Sequence, residues 1–142
     1  MGTTAKPGKA GAEAGAALGM TPGLVVQELG WDEDADEAVR TAIMDAIDGD
    51  LTYEALEAVD VVLLWWRDSD GDIADGLVDA LTDLSSRGHI WLMTPKVGRE
   101  GHVDPPDLAE GALTAGLAVA NPATVSSEWL AQKLVRPKGA RR

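Results

Sequence analysis

The chain of 142 residues contains no cysteine and no phenylalanine, a single tyrosine, and only 12 Lys or Arg against 24 Asp or Glu. Without cysteine there is no disulfide framework, no thiolate zinc site, no iron–sulfur cluster and no cysteine nucleophile. Apolar runs are also short. The longest, residues 61–66, falls well below the roughly 20 residues that cross a bilayer as a helix, so no membrane association is expected. Residues 1–12 include Lys6 and Lys9 but no apolar stretch, so they do not read as a secretory leader, and a cytoplasmic location is expected. Large apolar side chains are sufficient for a modest core, and the length suits one domain.

The shortage of cations is local. Residues 28–83 hold 18 acidic residues against Arg40 and Arg67. The ends are basic, with Lys6 and Lys9 at the start and Lys133, Arg136, Lys138, Arg141 and Arg142 at the finish. An acidic body repels phosphate backbones, because nucleic-acid affinity begins with Lys and Arg neutralising phosphates. Nucleic-acid binding by the main body is therefore not expected.

Residues 1–12, rich in Gly, Ala and Lys, have little to bury and read as a disordered basic arm. A single domain is expected over 13–136, and a basic tail over 137–142. Within the domain a short Ala-rich helix over 13–18 stops at Gly19, and residues 24–29 form a first strand. Asp32 is expected to open a helix whose small or apolar positions recur from Ala35 to Ile47 at the helical period, with Gly49 as its left-handed end. After a short helical stretch at 53–57, residues 60–66 are apolar on both alternating faces, as a covered central strand requires. A second helix carries Ile73, Leu77, Ala80, Leu81 and Leu84 and is expected to close at Arg87-Gly88, followed by a third strand over 89–93. Pro105-Pro106 opens a third helix, and residues 118–125 and 129–135 suggest an antiparallel hairpin. Three alternations of strand and helix predict a reduced α/β Rossmann-like three-layer sandwich of about five strands, mostly parallel with right-handed crossovers, ending in that hairpin. The hairpin is similar to the edge of the methyltransferase variant of the fold.

Ligands of open α/β sheets bind beyond the carboxyl ends of the strands. The turn after the first strand, Gly30-Trp31-Asp32-Glu33-Asp34, has one glycine, a bulky ring and three acids. Such a turn repels a pyrophosphate, so no nucleotide cofactor is expected. Asp68-Ser69-Asp70-Gly71-Asp72 spaces carboxylates as a calcium loop does, but its glycine is misplaced for an EF-hand, and a helix cap is the simpler reading. His102-Val103-Asp104 lacks a third protein ligand, so no metal is expected, and the serines form no nucleophile elbow. Two clusters are left. Asp72, Asp75, Asp79 and Asp83 lie three or four apart with no intervening cation, a ridge of one sign suited to a basic protein partner. Trp66, Arg67, Lys96, Arg99 and His102 fall at neighbouring strand tips, a rim suited to an anionic, planar ligand.

At Asp60-Val-Val-Leu-Leu-Trp-Trp, Gly88-His-Ile-Trp-Leu-Met-Thr-Pro-Lys96 and Glu128-Trp-Leu-Ala-Gln-Lys-Leu-Val-Arg136, the chain resembles a bacterial family known only as a domain of unknown function, common in high-GC Gram-positive bacteria. Leu18-Gly19 and Gly23 match its opening, and Gly88, Trp91, Pro95, Lys96, Trp129, Lys133, Leu134 and Val135 match its body, so the resemblance spans most of residues 15–136. It implies the fold and its boundaries but brings no activity. The reading reached from the residues is a non-enzymatic, cytoplasmic protein-binding or regulatory module that uses the acidic ridge and the sheet-end rim. The alternative is a binder of an adenosyl or other anionic aromatic ligand, or a minimal enzyme, at the strand ends. Pairing of two copies through the edge hairpin at Trp129 stays open.

Overall fold

A computed structural model describes residues 9–137, with side chains from residue 13. The basic tail beyond Pro137 and the first eight residues of the expected arm lie outside the described residues. The elements are α1 (Lys9–Ala17), β1 (Val26–Leu29), α2 (Glu37–Ile47), β2 (Val59–Trp65), a 3₁₀ turn (Asp68–Asp70), α3 (Ile73–Ala80), β3 (Leu84–Pro95), α4 (Pro105–Thr114), β4 (Ala118–Ala123) and β5 (Trp129–Val135). They build one five-stranded sheet in the order β1-β2-β3-β5-β4. The first three strands are parallel, and β5 and β4 join antiparallel. This is the expected α/β three-layer sandwich with its terminal hairpin.

The alternation along β2 and β3 divides the core in two. Val61, Leu63, Trp65, Trp91 and Met93 face α1 and α2, where they meet Leu18, Val39, Ile43 and Ile47. Val62, Leu64, Ile90 and Leu92 face α3 and α4, where they meet Ile73, Leu77, Leu108 and Ala112. A strand buried on both faces has no polar position to spare, which is why residues 60–66 read as a near-continuous apolar run.

After α2 the chain pairs with the outer edge of β1 at one residue. Thr52 bridges Gln27 in parallel, donating its N–H to Val26 O at 3.0 Å and accepting from the Glu28 N–H at 2.8 Å. The chain then crosses to β2 on the other side of β1. The unit β1–α2–Thr52 therefore runs outward over one face, and β2–α3–β3 runs the opposite way over the other. Both crossovers thus have the same hand, in keeping with the rule for parallel sheets. Chain order reverses between β1 and β2, so the switch point of the sheet lies at their carboxyl ends.

Several boundaries differ from those the sequence predicts. α1 begins at Lys9, inside the stretch read as an arm. Asp36, not Asp32, caps α2, its Oδ1 accepting from the Ala38 and Val39 N–H groups at 2.9 and 3.3 Å; in a run of acids only the one with two free N–H groups in reach becomes the cap. The left-handed residue after α2 is Asp48 (φ 57°) rather than Gly49. Residues 53–57 form no helix. β2 ends at Trp65, one residue early, and β1 starts at Val26, two residues late. α3 ends at Ala80, and Leu84, which also fits the helical stripe, opens β3 instead. Gly88 therefore lies within a strand, where a Cβ would stand 2.7 Å from Asp60 O. Its lack of a side chain permits close approach to β2 rather than stopping a helix.

His89 is half-buried in β3, its ring edge-to-face with Trp91 at 6.2 Å. Burial, with a smaller contribution from the Lys133 charge, pushes its imidazole down to about 4. The unfolded chain then binds the extra proton between about pH 6.5 and pH 4, so this group's contribution to stability is level above that window and falls as the pH drops through it. His89→Gln should lose less melting temperature than the wild type on going from about pH 7 to about pH 5, measured by thermal unfolding monitored by circular dichroism.

Candidate functional site

At the switch point the first feature to explain is Glu28, a carboxylate only 6% exposed on β1. A buried charge must be paired and hydrogen-bonded. Arg40 of α2 meets it with a two-pronged contact, Nε and NH2 each 2.7 Å from a carboxylate oxygen, and the Trp65 indole N–H donates to the same group at 2.8 Å. Trp65 in turn meets Trp129 edge-to-face at 4.9 Å, both rings fully buried. The Trp129 indole N–H donates to Asp34 O at 3.1 Å, fixing the loop that follows β1.

Arg67 fills the space between the two strand ends. Its NH1 donates to Gly30 O at 2.7 Å and Trp65 O at 3.4 Å, so one guanidinium caps the carbonyl just past β1 and the last carbonyl of β2. Nε and NH2 fork onto Asp34 at 3.1 and 2.5 Å, and the group lies 5.2 Å from the centre of the Trp129 ring. The Arg67 hydrogen bonds hold the Asp34 carboxyl below the usual carboxylate range. Burial works against the charge on Arg67, and Asp34 and Asp70 more than offset it, so the guanidinium stays firmly protonated. Gly30 has φ +77°, and a Cβ there would lie 2.2 Å from Trp65 O. The turn that in nucleotide-binding sheets stands open for a phosphate is here pressed against β2.

Of the five residues expected at one rim, Arg67 and Arg99 stay together, while Trp66 and Lys96 border other depressions. Side chains alternate along an extended chain, so Trp66 and Arg67 leave the end of β2 on opposite faces. Trp66 lies on α3, where a Cβ on Gly76 would come within 2.4 Å of its ring. Arg99 joins Arg67 at Trp129, 5.8 Å from the ring centre, with its NH1 on Glu128 O at 3.0 Å. His102 Nδ1 is 2.8 Å from Pro95 O, beside the Gly101 backbone that accepts the Asp68 N–H. Lys96 borders a separate shallow depression with Glu13, Thr124 and Ser126.

Of the acidic ridge, Asp72 caps α3 by accepting the Ala74 N–H at 3.0 Å, and Asp75 and Asp79 stand exposed on its outer side. Asp83 lies beyond the end of the helix, 3.4 Å from Gln27 Nε2. The feature that the sequence reading missed is the wall opposite. Asp107 and Glu110 on α4 face Asp68 and Asp72 across a cavity of about 400 Å³ whose floor includes Trp66, Ile73 and Val103. The available signal was the spacing of Asp107, Glu110 and Thr114 along one face of α4. Gly111 lets the helices approach, since a Cβ there would meet Ile73 Cγ2 at 2.3 Å. Among the described residues no Lys or Arg forms an ion pair with Asp68, Asp72, Asp107 or Glu110. No three His, Asp or Glu side chains among the described residues are grouped to hold a metal ion, and no helix among them is long and apolar enough to cross a membrane.

Residues 15–138 match the family described as "Protein of unknown function (DUF3052)". An uncharacterized protein of Mycobacterium tuberculosis is 48% identical over 122 residues, which cover 85% of this chain and 77% of that protein. Among solved structures, a precorrin-6y C5,15-methyltransferase from Geobacter metallireducens superposes with a TM-score of 0.59 at 13% identity, covering 96% of this chain and 94% of that one. Mitomycin 7-O-methyltransferase gives a TM-score of 0.57 at 13% identity over 90% of this chain, which spans 54% of that structure. At such identities the likeness shows a methyltransferase-like, Rossmann-like fold.

Arg67→Ala removes the cap on both strands and leaves Asp34 without its cation. It should cost roughly 2–3 kcal/mol in urea unfolding. Arg99→Ala, at a longer and more exposed ion pair, should cost under about 1 kcal/mol in the same measurement.

Proposed function

The chain belongs to the DUF3052 family, and we propose that it is a non-enzymatic binding module that docks a basic segment of a protein partner in the acidic cleft between α3 and α4. One observation carries this reading. Carboxylates stand on both walls of the cleft, Asp68 and Asp72 on one and Asp107 and Glu110 on the other, with the half-buried Trp66 ring between them. A ring beneath carboxylates suits the guanidinium or ammonium group of a partner's Arg or Lys, which gains from the aromatic face and the acids together. Asp75 and Asp79 extend the same sign of charge along α3, so a basic segment longer than one residue is drawn along the helix.

The methyltransferase-like fold raises the question of an adenosyl ligand at the strand ends. The residues present do not fit one. The crevice between β1 and β2 is taken by the Arg67 guanidinium, held by hydrogen bonds to Gly30, Trp65 and Asp34. The turn after β1 contributes one glycine, and it is packed against Trp65 O. Opening that space means breaking the pairing that closes the sheet end. This supports a fold retained as a scaffold while the binding surface lies on the outer helices.

The test is a titration with a fluorescently labelled nona-arginine peptide at low and at physiological salt, reading peptide anisotropy and tryptophan emission. Asp107→Lys with Glu110→Lys should weaken binding by about tenfold or more, corresponding to about 1.4 kcal/mol. A control that reverses the same number of charges elsewhere, Asp45→Lys with Asp50→Lys, should change it far less. Equal weakening by both pairs would mean that only the overall charge attracts the peptide, and the docking reading would fail.

A further inference from the structure

The most unusual charge in this molecule is positive and lies at the other end of the sheet. β3 is irregular where it starts, its register against β2 shifting between Val59 and Val61. Beside that irregularity, the start of β3 and the end of β5 border an open cleft of about 930 Å³. Arg87, His89, Lys133 and Arg136 line it, with Gly88 and Ala118 among its small uncharged walls, and among the described residues no carboxylate does.

Seven Lys or Arg side chains lie among the residues whose side chains are described, and three of them meet here. Arg40, Arg67 and Arg99 are each tied to acids elsewhere. Arg87 and Lys133 make no ion pair or side-chain hydrogen bond among the described residues, and Arg136 uses its NH1 on Ser85 O at 2.7 Å. In a chain of net charge −12, abundant acid could have neutralised these groups, yet they stand together and repel one another. Like charges held together without internal partners are stabilised by an external anion.

We propose that this cleft binds an organic phosphate of about nucleotide size, its phosphate held by Arg87, Lys133 and Arg136 and its organic part lying over Gly88, Ala118 and His89. Guanidinium forks and an ammonium group are the side chains that match phosphate oxygens. The volume is that of a small-molecule site. His89, half-buried and uncharged near neutral pH, offers a ring edge and a nitrogen rather than another charge. A nucleic-acid strand is the less suitable occupant, because its phosphates would extend past the cleft over an acidic body. The site is separate from the acidic cleft between α3 and α4 and does not depend on it.

The test uses the full chain, with pyrophosphate, ATP and ribose 5-phosphate as probes, adenosine as the probe lacking phosphate, and oligothymidylates of increasing length. Binding is followed by calorimetry and by the His89 imidazole resonances in NMR spectra. At least one phosphate probe should bind saturably below about 5 mM and shift the His89 signals, while adenosine should not. Arg87→Gln alone should weaken that binding several-fold. Arg87→Gln with Lys133→Gln should weaken it by about tenfold or more, and Asp107→Lys with Glu110→Lys should leave it in place. Arg87 is exposed, so its variant folds and separates loss of binding from loss of structure. The proposal is overturned if no phosphate probe binds, if binding survives the double variant, or if only oligothymidylates bind with affinity that grows with their length.

Discussion

Two parallel strands end side by side with carbonyl groups that no further strand residue meets, and the Arg67 guanidinium meets them. It bonds to Gly30 O and Trp65 O, holds the Asp34 carboxylate, and covers the Trp129 ring. The loop after β1, the start of α2 and the β5 end of the hairpin all refer to that one group. Ser126 extends the arrangement, donating to Asp36 Oδ2 at 2.6 Å while accepting from the Glu128 and Trp129 N–H groups. The α2 cap, the hairpin turn and the indole ring are thereby positioned together. Behind them, Glu28 with Arg40 and the Trp65 N–H repeats the same solution one layer deeper. A charged contact with one partner removed leaves a costly buried charge, so such a network specifies one arrangement more strongly than it adds stability.

Much of the architecture was legible in the sequence because burial on two faces, on one face and on none leaves different periodicities. The apolar run of β2, the Pro-Pro start of α4 and the two extended segments of the hairpin each had one reading. Boundaries were less legible where one residue satisfies two patterns. Leu84 fits a helical stripe and a strand equally well, and Asp32 is as good a capping residue as Asp36 until the chain's path decides which one meets free N–H groups. The bridge at Thr52 left no local signal, since a single paired residue has no period.

The site was less legible than the fold. That the tips of β2 and β3 lie together follows from parallel order, but neighbours along an extended chain take opposite faces, so one rim cannot hold both. Trp66 lies on α3, and Arg67 turns to the loop before α2. Glu28 carried no mark of burial, because its partners Arg40 and Trp65 are distant in sequence. Asp107 and Glu110 were ordinary acids on a weak helix until Gly111 brought α4 against α3. What composition did convey was the separation of charge, which the fold turns into two clefts of opposite sign.

That separation has a consequence before any contact is made. The acidic cleft sits toward the carboxyl ends of β2 and β3 and the basic one at the amino end of β3, so two local charges of opposite sign face away from each other along the strands. A charged body approaching within a Debye length, about 8 Å at physiological ionic strength, feels the nearer cleft and turns the molecule accordingly. A cationic partner turns the α3–α4 end toward itself, and an anionic solute turns the other end. Orientation would then be selected during diffusion, leaving the side chains of each cleft to settle only the final few ångströms.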